Sequence, residues 1–237
     1  MHDDLSAELA PTGVLRAALN LGNPVLVQGT PDTPTGVTVD IAREAAARLG
    51  VPVEFRCFGA ARDSFQAAAT GQADICFLAV DPGRAEQIAF TAPYVLIEGV
   101  YAVPRESPLT TVAEVDSPGV RVGVRQGSAY DLFLSRTLKH AEVVRSPLDG
   151  TEVFLIDGLE VAAGVREPVT AFVAAHQDLR LIDGRFMEIP QAVGTAADKS
   201  AAATGFLRDL VEELKSSGFV ADALRRSGQT APVAPPA

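Results

Sequence analysis

The chain has 237 residues, of which 47% are apolar and 21% are charged, a composition that supports a buried core and excludes a disordered chain. Its formal net charge of -10 disfavours nucleic-acid phosphates and anionic membrane surfaces as partners, because like charges repel. No apolar run approaches the roughly 20 residues of a membrane-spanning helix, and the length suits one large domain or two of ordinary size.

The first part of the chain predicts an alternation of strands and helices. Val14–Leu19, Val51–Cys57 and Asp74–Val80 are predicted strands, and the last is a continuous apolar run typical of a parallel strand buried on both faces. Asp40–Leu49 and Ser64–Thr70 are predicted helices, each followed by a glycine that ends it. This order predicts right-handed crossovers and a parallel sheet.

The alternation stops at Tyr94–Val103, an extended segment without a preceding helix, and then restarts. Ser128 is a predicted N-cap, with Asp131 three residues further on. The second group of predicted elements, in chain order, is strand Val120–Val124, the helix that follows Ser128, strand Ala141–Val144, helix Thr151–Gly158, strand Leu159–Gly164, helix Pro168–His176 and strand Leu179–Ile182. The chain therefore contains two α/β groups.

A second extended segment, Met187–Gly194, precedes a helical C-terminal part that has no strands of its own. We expect those last helices to pack on the first group, so that lobe 1 comprises residues 1–102 and 191–237 and lobe 2 comprises residues 103–190. Two extended segments that cross between the lobes, near Val100–Arg105 and Glu188–Gly194, would form a hinge. The ligand site is expected between the lobes, at the carboxyl ends of parallel strands.

Several features predict what the chain lacks. Common motifs of nucleotide-binding loops, serine-hydrolase elbows and zinc proteases do not occur. Cys57 and Cys76 lie in apolar runs and are predicted to be buried thiols. The histidines (His2, His140, His176) are far apart in sequence, so we predict no metal site and no cofactor. The proline-rich end, Thr230–Ala237, is predicted to be disordered.

Six stretches carry a resemblance to one family, in the family's order. They are Val14–Pro24, Thr35–Ala42, Gly71–Ile75, Arg84–Tyr94, Val122–Ser128 and Leu214–Gly218. Together they resemble the polar-amino-acid solute-binding proteins of ABC transporters, which are type II periplasmic binding proteins of family 3. The resemblance covers Thr12 to Ser227 and implies an α/β fold of two lobes joined by a two-segment hinge.

The resemblance also implies ligand contacts. Arg84 stands where the family holds a ligand carboxylate, and a guanidinium fork suits that role; the alternative is a surface arginine at a helix start. Gly127 and Ser128 would offer donors at a helix N-terminus, although Ser128 is equally a plain N-cap. Tyr94 is more often structural in this motif. Asn23 is either a ligand contact or a turn residue.

Two departures from the family put an ordinary amino acid in doubt as the ligand. The stretch around Ala79, a position in the predicted ligand loop, is apolar and shorter than in the family. Val165 stands where the family has an aspartate that receives the ligand ammonium, and a buried ammonium needs a charge partner. Glu98 and Glu160 are the nearest spare carboxylates, and we expect Glu98 to face the ligand or else the outer surface.

The function implied by the resemblance is capture, without catalysis, of a small carboxylate-bearing solute, either amino acid-like or an organic acid. Its expected partner is the membrane permease of an ABC transporter, and the protein is expected to be a monomer.

The chain begins without a signal peptide, so we expect a periplasmic or extracellular location if a leader has been removed, and a cytoplasmic one otherwise. Alternatives are a cyclohexadienyl dehydratase-like enzyme, which would need an acid of raised pKa, and a leaderless cytosolic sensor.

Overall fold

The computed structural model describes residues 2–237, apart from the side chains of residues 2 and 3. It divides into two compact units. Unit 1 contains the described residues up to Leu96 together with Pro190–Ala237, and unit 2 contains Ile97–Ile189. The chain passes from unit 1 to unit 2 within one strand and returns within another, so two extended segments join the units.

Unit 1 is built on a mixed sheet. Its elements are α1 (His2–Leu9), β1 (Leu15–Asn20), β2 (Gln28–Gly29), β3 (Pro34–Thr35), α2 (Val37–Leu49), β4 (Val53–Phe58), α3 (Ala61–Ala69), β5 (Ile75–Ala79), α4 (Pro82–Ala85), the first part of β6 (Ile88–Pro104), the last part of β11 (Met187–Ala196), α8 (Ala201–Ser216) and α9 (Phe219–Arg226). Strand β1 pairs in parallel with β4 and β5, and β11 pairs antiparallel with β5. The predicted parallel sheet is therefore present, with one returning antiparallel strand.

The helix α2 illustrates how local sequence sets an element. It begins after Gly36, whose φ of 113° lies outside the range that other residues favour, and it ends at Gly50 in the left-handed conformation. The helix starts nearly one turn before the predicted Asp40, because Gly36 and not an aspartate serves as its N-cap. Its apolar residues are buried against the sheet, as the periodicity predicts.

Unit 2 repeats the α/β pattern. Its elements are the second part of β6, a 3-10 helix (Val112–Val115), β7 (Arg121–Arg125), α5 (Ala129–Thr137), β8 (Glu142–Ser146), α6 (Gly150–Asp157), β9 (Val161–Val165), α7 (Arg166–Ala175), β10 (Leu179–Leu181) and the first part of β11. Strand β7 pairs in parallel with β8 and β9, while β6 pairs antiparallel with β9 and β10. Alternate residues of β6 enter two separate cores, Tyr101 and Val103 on one face and Val100 and Ala102 on the other.

The first unit boundary differs from the predicted one after residue 102. The compact units divide after Leu96 because β6 continues without a break, and its residues from Gly99 onward already pair with β9. The return boundary lies before Pro190, one residue from the predicted position. The predicted extended segments are thus parts of two longer strands, β6 and β11.

Two smaller predictions were wrong. The end of the chain is not disordered, because Val233 forms an antiparallel bridge with Val95. Cys76 is buried as predicted but Cys57 is only partly buried, and both thiols are free. Among the described residues, no helix is both long and apolar enough to cross a membrane, and no cluster of metal-ligating side chains occurs. The His2 side chain lies outside that description.

An arginine–carboxylate ion pair of similar geometry links the amino ends of neighbouring parallel strands in each unit. In unit 1, the main-chain N–H and the Nε of Arg16 both donate to Asp74 Oδ2, at 2.8 and 2.9 Å. In unit 2, the same two groups of Arg121 donate to Glu160 Oε2, each at 2.9 Å. In each case the arginine is the first or second residue of one strand, and the carboxylate immediately precedes its parallel neighbour. The two pairs differ in exposure, since the side chains are 14% and 3% exposed in unit 1 but 38% and 39% exposed in unit 2.

This difference in exposure yields a prediction for stability. Asp74→Ala should lower the free energy of unfolding by about 3–5 kcal/mol, because it leaves a largely buried guanidinium without its partner. Glu160→Ala removes the equivalent ion pair where it is more exposed, and should lower the free energy of unfolding by about 1 kcal/mol or less. Urea unfolding followed by circular dichroism measures both. Equal losses for the two variants would contradict the assignment of the difference to burial.

Candidate functional site

Arg84 is placed by a short helix directly after β5. Asp81 caps α4 by accepting hydrogen bonds from the main-chain N–H groups of Gly83 and Arg84, at 2.9 and 3.4 Å, and Pro82 begins the helix. The turn directs the Arg84 guanidinium back to the end of the strand, where Nη1 donates to the carbonyl oxygen of Ala79 at 3.2 Å. The residue is 4% exposed, so it is not the surface arginine that the sequence left open.

The electrostatics of Arg84 follow from this burial. Loss of hydration lowers the pKa of the guanidinium, and the neighbouring Asp81 and Cys76 act in the opposite direction. An arginine stays protonated under ordinary conditions despite such a shift. Unit 1 therefore keeps a planar cation with little access to water at the carboxyl end of β5, which is where ligands of open α/β sheets bind.

The other candidates of unit 1 have structural roles in this arrangement. Ala79 is 4% exposed and supplies the carbonyl oxygen that Arg84 contacts. Tyr94 is fully buried and packs edge-on against Phe77, with 6.3 Å between ring centroids. Burial raises the Tyr94 pKa well above its ordinary value. Asn23 forms a turn, since its Oδ1 accepts a hydrogen bond from the Val25 N–H at 3.3 Å. Ligand contacts by these residues stay predictions.

In unit 2, Gly127 and Ser128 form the turn that precedes α5. The prediction that Ser128 is an N-cap is confirmed, because its Oγ accepts a hydrogen bond from the Asp131 N–H at 3.1 Å. Asp131 Oδ2 in turn accepts from the Gly127 N–H at 2.8 Å. Asp131 is 4% exposed, and its Oδ1 also accepts from Arg145 Nε at 2.9 Å. The turn is thus held by a buried carboxylate that the sequence showed only as a helix residue.

Val165 ends β9 and precedes α7 without a side-chain cap. The sequence predicts Glu98 and Glu160 as the nearest spare carboxylates. Glu98 does lie close to Val165, because its neighbour Gly99 pairs with Val165 in the sheet, but both carboxylates already have arginine partners. Glu98 accepts hydrogen bonds from Arg166 Nε and, at 2.6 Å, from Arg185 Nη1. Glu160 is paired with Arg121 and lies before β9, at the opposite end of the strand from Val165. Neither carboxylate is therefore spare, and contact of Glu98 or Val165 with a ligand stays a prediction.

The partners of Glu98 give a prediction for pH dependence. The hydrogen bond from Arg185 lowers the pKa of Glu98 most; burial opposes this, and Arg166 lowers the pKa further. A carboxyl whose folded pKa is lowered stabilises the protein above its ordinary value of 4.5, and this stabilisation is lost as the pH falls below that value.

Glu98→Gln should therefore reduce the free energy of unfolding by about 1 kcal/mol at pH 7, and the difference from the parent protein should shrink as the pH falls below 4.5. Urea unfolding across this pH range checks it, with the exposed Glu106→Gln as the control that should match the parent at every pH. A Glu98→Gln effect of the same size at both ends of the range would show that the loss is not electrostatic.

Comparison with known proteins places these units in a family. Residues 16–226 match the sequence profile of bacterial extracellular solute-binding proteins, family 3. No curated protein sequence gave a match.

Solved structures share the fold at low identity. A mutant of ArgBP from T. maritima is 22% identical over 96% of this chain and 99% of its own, with a TM-score of 0.76. AbpA from Streptococcus pneumoniae, bound to L-arginine, is 20% identical over 92% and 96%, with the same score. The ancestral amino acid-binding protein AncCDT-1, a precursor of cyclohexadienyl dehydratase, is 18% identical over 94% and 98%, again with a TM-score of 0.76.

The structures support the type II periplasmic binding fold that the sequence motifs imply. The family profile extends from Arg16 in β1 to Arg226 at the end of α9, so it includes strands and helices of both units. A match over most of the chain identifies this protein as a member of the bacterial extracellular solute-binding proteins, family 3.

Proposed function

We propose that this protein binds a small solute through a carboxylate group, and that Arg84 is the residue of unit 1 that receives this group. The observation that carries the proposal is the burial of the Arg84 guanidinium at the carboxyl end of β5. A guanidinium binds a carboxylate through two parallel hydrogen bonds, and such a pair is strong where water is largely excluded. The solute is an amino acid or an organic acid of similar size.

Membership of the family supports a role in solute capture for transport. Structures with the same fold include an ABC transporter protein bound to L-arginine and another complexed with lysine, and both ligands carry a carboxylate. We therefore also propose that the protein serves an ABC transporter permease and acts outside the cytoplasmic membrane. Co-purification of the chain with a membrane permease in the presence of its solute tests this part.

We also propose that the protein binds its solute without catalysis. A dehydratase needs a general acid, whose pKa must be raised toward the working pH. The pKa of Glu98 is lowered, chiefly by Arg185, and that of Glu160 is lowered, chiefly by Arg121. Glu98 and Glu160 are the two carboxylates that the sequence suggested as the general acid, and their lowered pKa values favour the charged form of both.

The role of Arg84 gives a direct prediction. A thermal-shift screen over amino acids, dicarboxylates and aromatic acids should identify a ligand, because binding to the folded state raises the melting temperature. Arg84→Ala should then weaken binding by about 2–5 kcal/mol, which is about 30-fold to several thousand-fold in Kd. Arg84→Lys should bind with intermediate affinity, because it keeps the charge and loses the fork.

Calorimetric titration measures these affinities. The matched control is Arg62→Ala, which removes an arginine of unit 1 that is 53% exposed and should leave Kd unchanged. Circular dichroism and the melting temperature establish that each variant is folded. A folded Arg84→Ala protein with the parent's affinity would rule out the assignment.

Binding without turnover is a separate prediction. Incubation of the protein with prephenate or arogenate should release no product above the rate in buffer. The reason is that the pKa values of Glu98 and Glu160 are lowered, whereas a general acid needs a raised pKa. Product formation is followed by chromatography over several hours. Turnover that depends on the protein would replace the binding function by the dehydratase alternative.

A further inference from the structure

The last seven residues form an added edge on unit 1. Val233 bridges antiparallel to Val95. The Leu96 N–H donates to the carbonyl oxygen of Pro232 at 3.0 Å, and the Ala234 N–H donates to that of Tyr94 at 3.1 Å. The segment Ala231–Ala237 is called the C-terminal strap below. Its alanines at 231 and 234 are 8% and 3% exposed, so the strap is packed onto the unit.

The proline pattern of the strap explains why it pairs in this way. Proline lacks an N–H and is pre-set to an extended backbone, so a proline-rich segment loses little entropy when it lies along a strand. Pro232 supplies only a carbonyl oxygen to the pairing, and Ala234, which is not a proline, supplies the N–H. The composition that predicts disorder is therefore compatible with an ordered edge strand, where prolines are tolerated.

A buried lysine fastens the strap to the body of unit 1. The Lys215 side chain on α8 is 4% exposed. Its Nζ donates to the carbonyl oxygens of Pro93 at 3.2 Å and Pro235 at 2.8 Å, and it forms an ion pair with Glu212 Oε1 at 2.6 Å. Glu212 Oε2 also accepts a hydrogen bond from the Ala237 N–H at 3.2 Å. One ammonium group thus joins α8, the segment before Leu96 and the strap.

The strap pairs with the residues at which the chain leaves unit 1. Pro93–Leu96 are the last residues of unit 1 before β6 enters unit 2 at Ile97. We propose that the C-terminal strap is a conformational device that holds Pro93–Leu96 on unit 1, and so confines bending of β6 to the residues beyond Leu96. The strap also fixes the backbone of Tyr94, whose ring packs on Phe77 of β5. This device goes beyond solute binding and does not depend on the identity of the ligand.

Deletion of residues 231–237 tests the strap. Hydrogen exchange at the Leu96 amide should accelerate at least about tenfold, because its acceptor on Pro232 is removed, while the amides of β7 in unit 2 keep the parent's rates. A synthetic peptide of residues 228–237 should restore protection when added in trans. The same peptide with Ala234→Pro should not, since it lacks the N–H that Tyr94 accepts.

A second variant keeps the test decisive if the deletion does not fold. Lys215→Met in the full chain keeps the packing of the side-chain stem and removes the ammonium, so it should accelerate exchange at Leu96 in the same direction. Arg208→Met, on the same helix and 63% exposed, is the control and should have no effect. Parent-like exchange at Leu96 in the deletion or in Lys215→Met, or acceleration spread evenly over unit 1, would overturn the proposal.

Discussion

A buried cation is costly unless a partner offsets its lost hydration, and unit 1 keeps such a cation at the carboxyl end of β5. Asp81 and Pro82 start a helix too short to bury a core of its own, and this turn brings Arg84 against Ala79. The strand that precedes this turn is fixed in the core of unit 1, since β5 is buried on both faces and flanked by β1 and β11. Asp81 offsets part of this cost, and the proposed ligand carboxylate would offset more of it.

Both units pair arginines with carboxylates at the ends of their strands. At the amino ends of the parallel strands, Arg16 with Asp74 and Arg121 with Glu160 satisfy each other and stabilise the sheets. At the end of β9, Glu98 is neutralised by two arginines. Carboxylates that looked spare in the sequence are therefore paired with arginines.

Local patterns in the sequence were sufficient for the main strands and helices, although α1, β2 and β3 were not predicted, and they were insufficient for the pairings. The apolar run of β5, the glycine after α2 and the cap at Ser128 act within a few residues, so the sequence predicts them. Glu98 meets Arg185 across 87 residues, and only the paired strands bring them together. The burial of Arg84 also depends on tertiary packing, although motif resemblance marked its position.

The strap shows a different limit of sequence reading. Its prolines satisfy the usual signature of a disordered tail, yet the same residues suit an edge strand because few N–H groups need partners. What decides between these outcomes is a receiving surface, here Tyr94–Leu96 and the Lys215 ammonium. Such a surface is assembled from parts of the chain more than a hundred residues apart, and composition alone does not reveal it.

Arg84 and a ligand carboxylate are proposed to interact directly. A thermodynamic cycle tests this most directly: parent and Arg84→Ala proteins are each titrated with the identified ligand and with its carboxamide, in which the negative charge is removed. Direct contact predicts a coupling energy of about 1.5 kcal/mol or more between the two changes, as for other close charge pairs. A coupling energy of zero, with both changes acting independently, would contradict it.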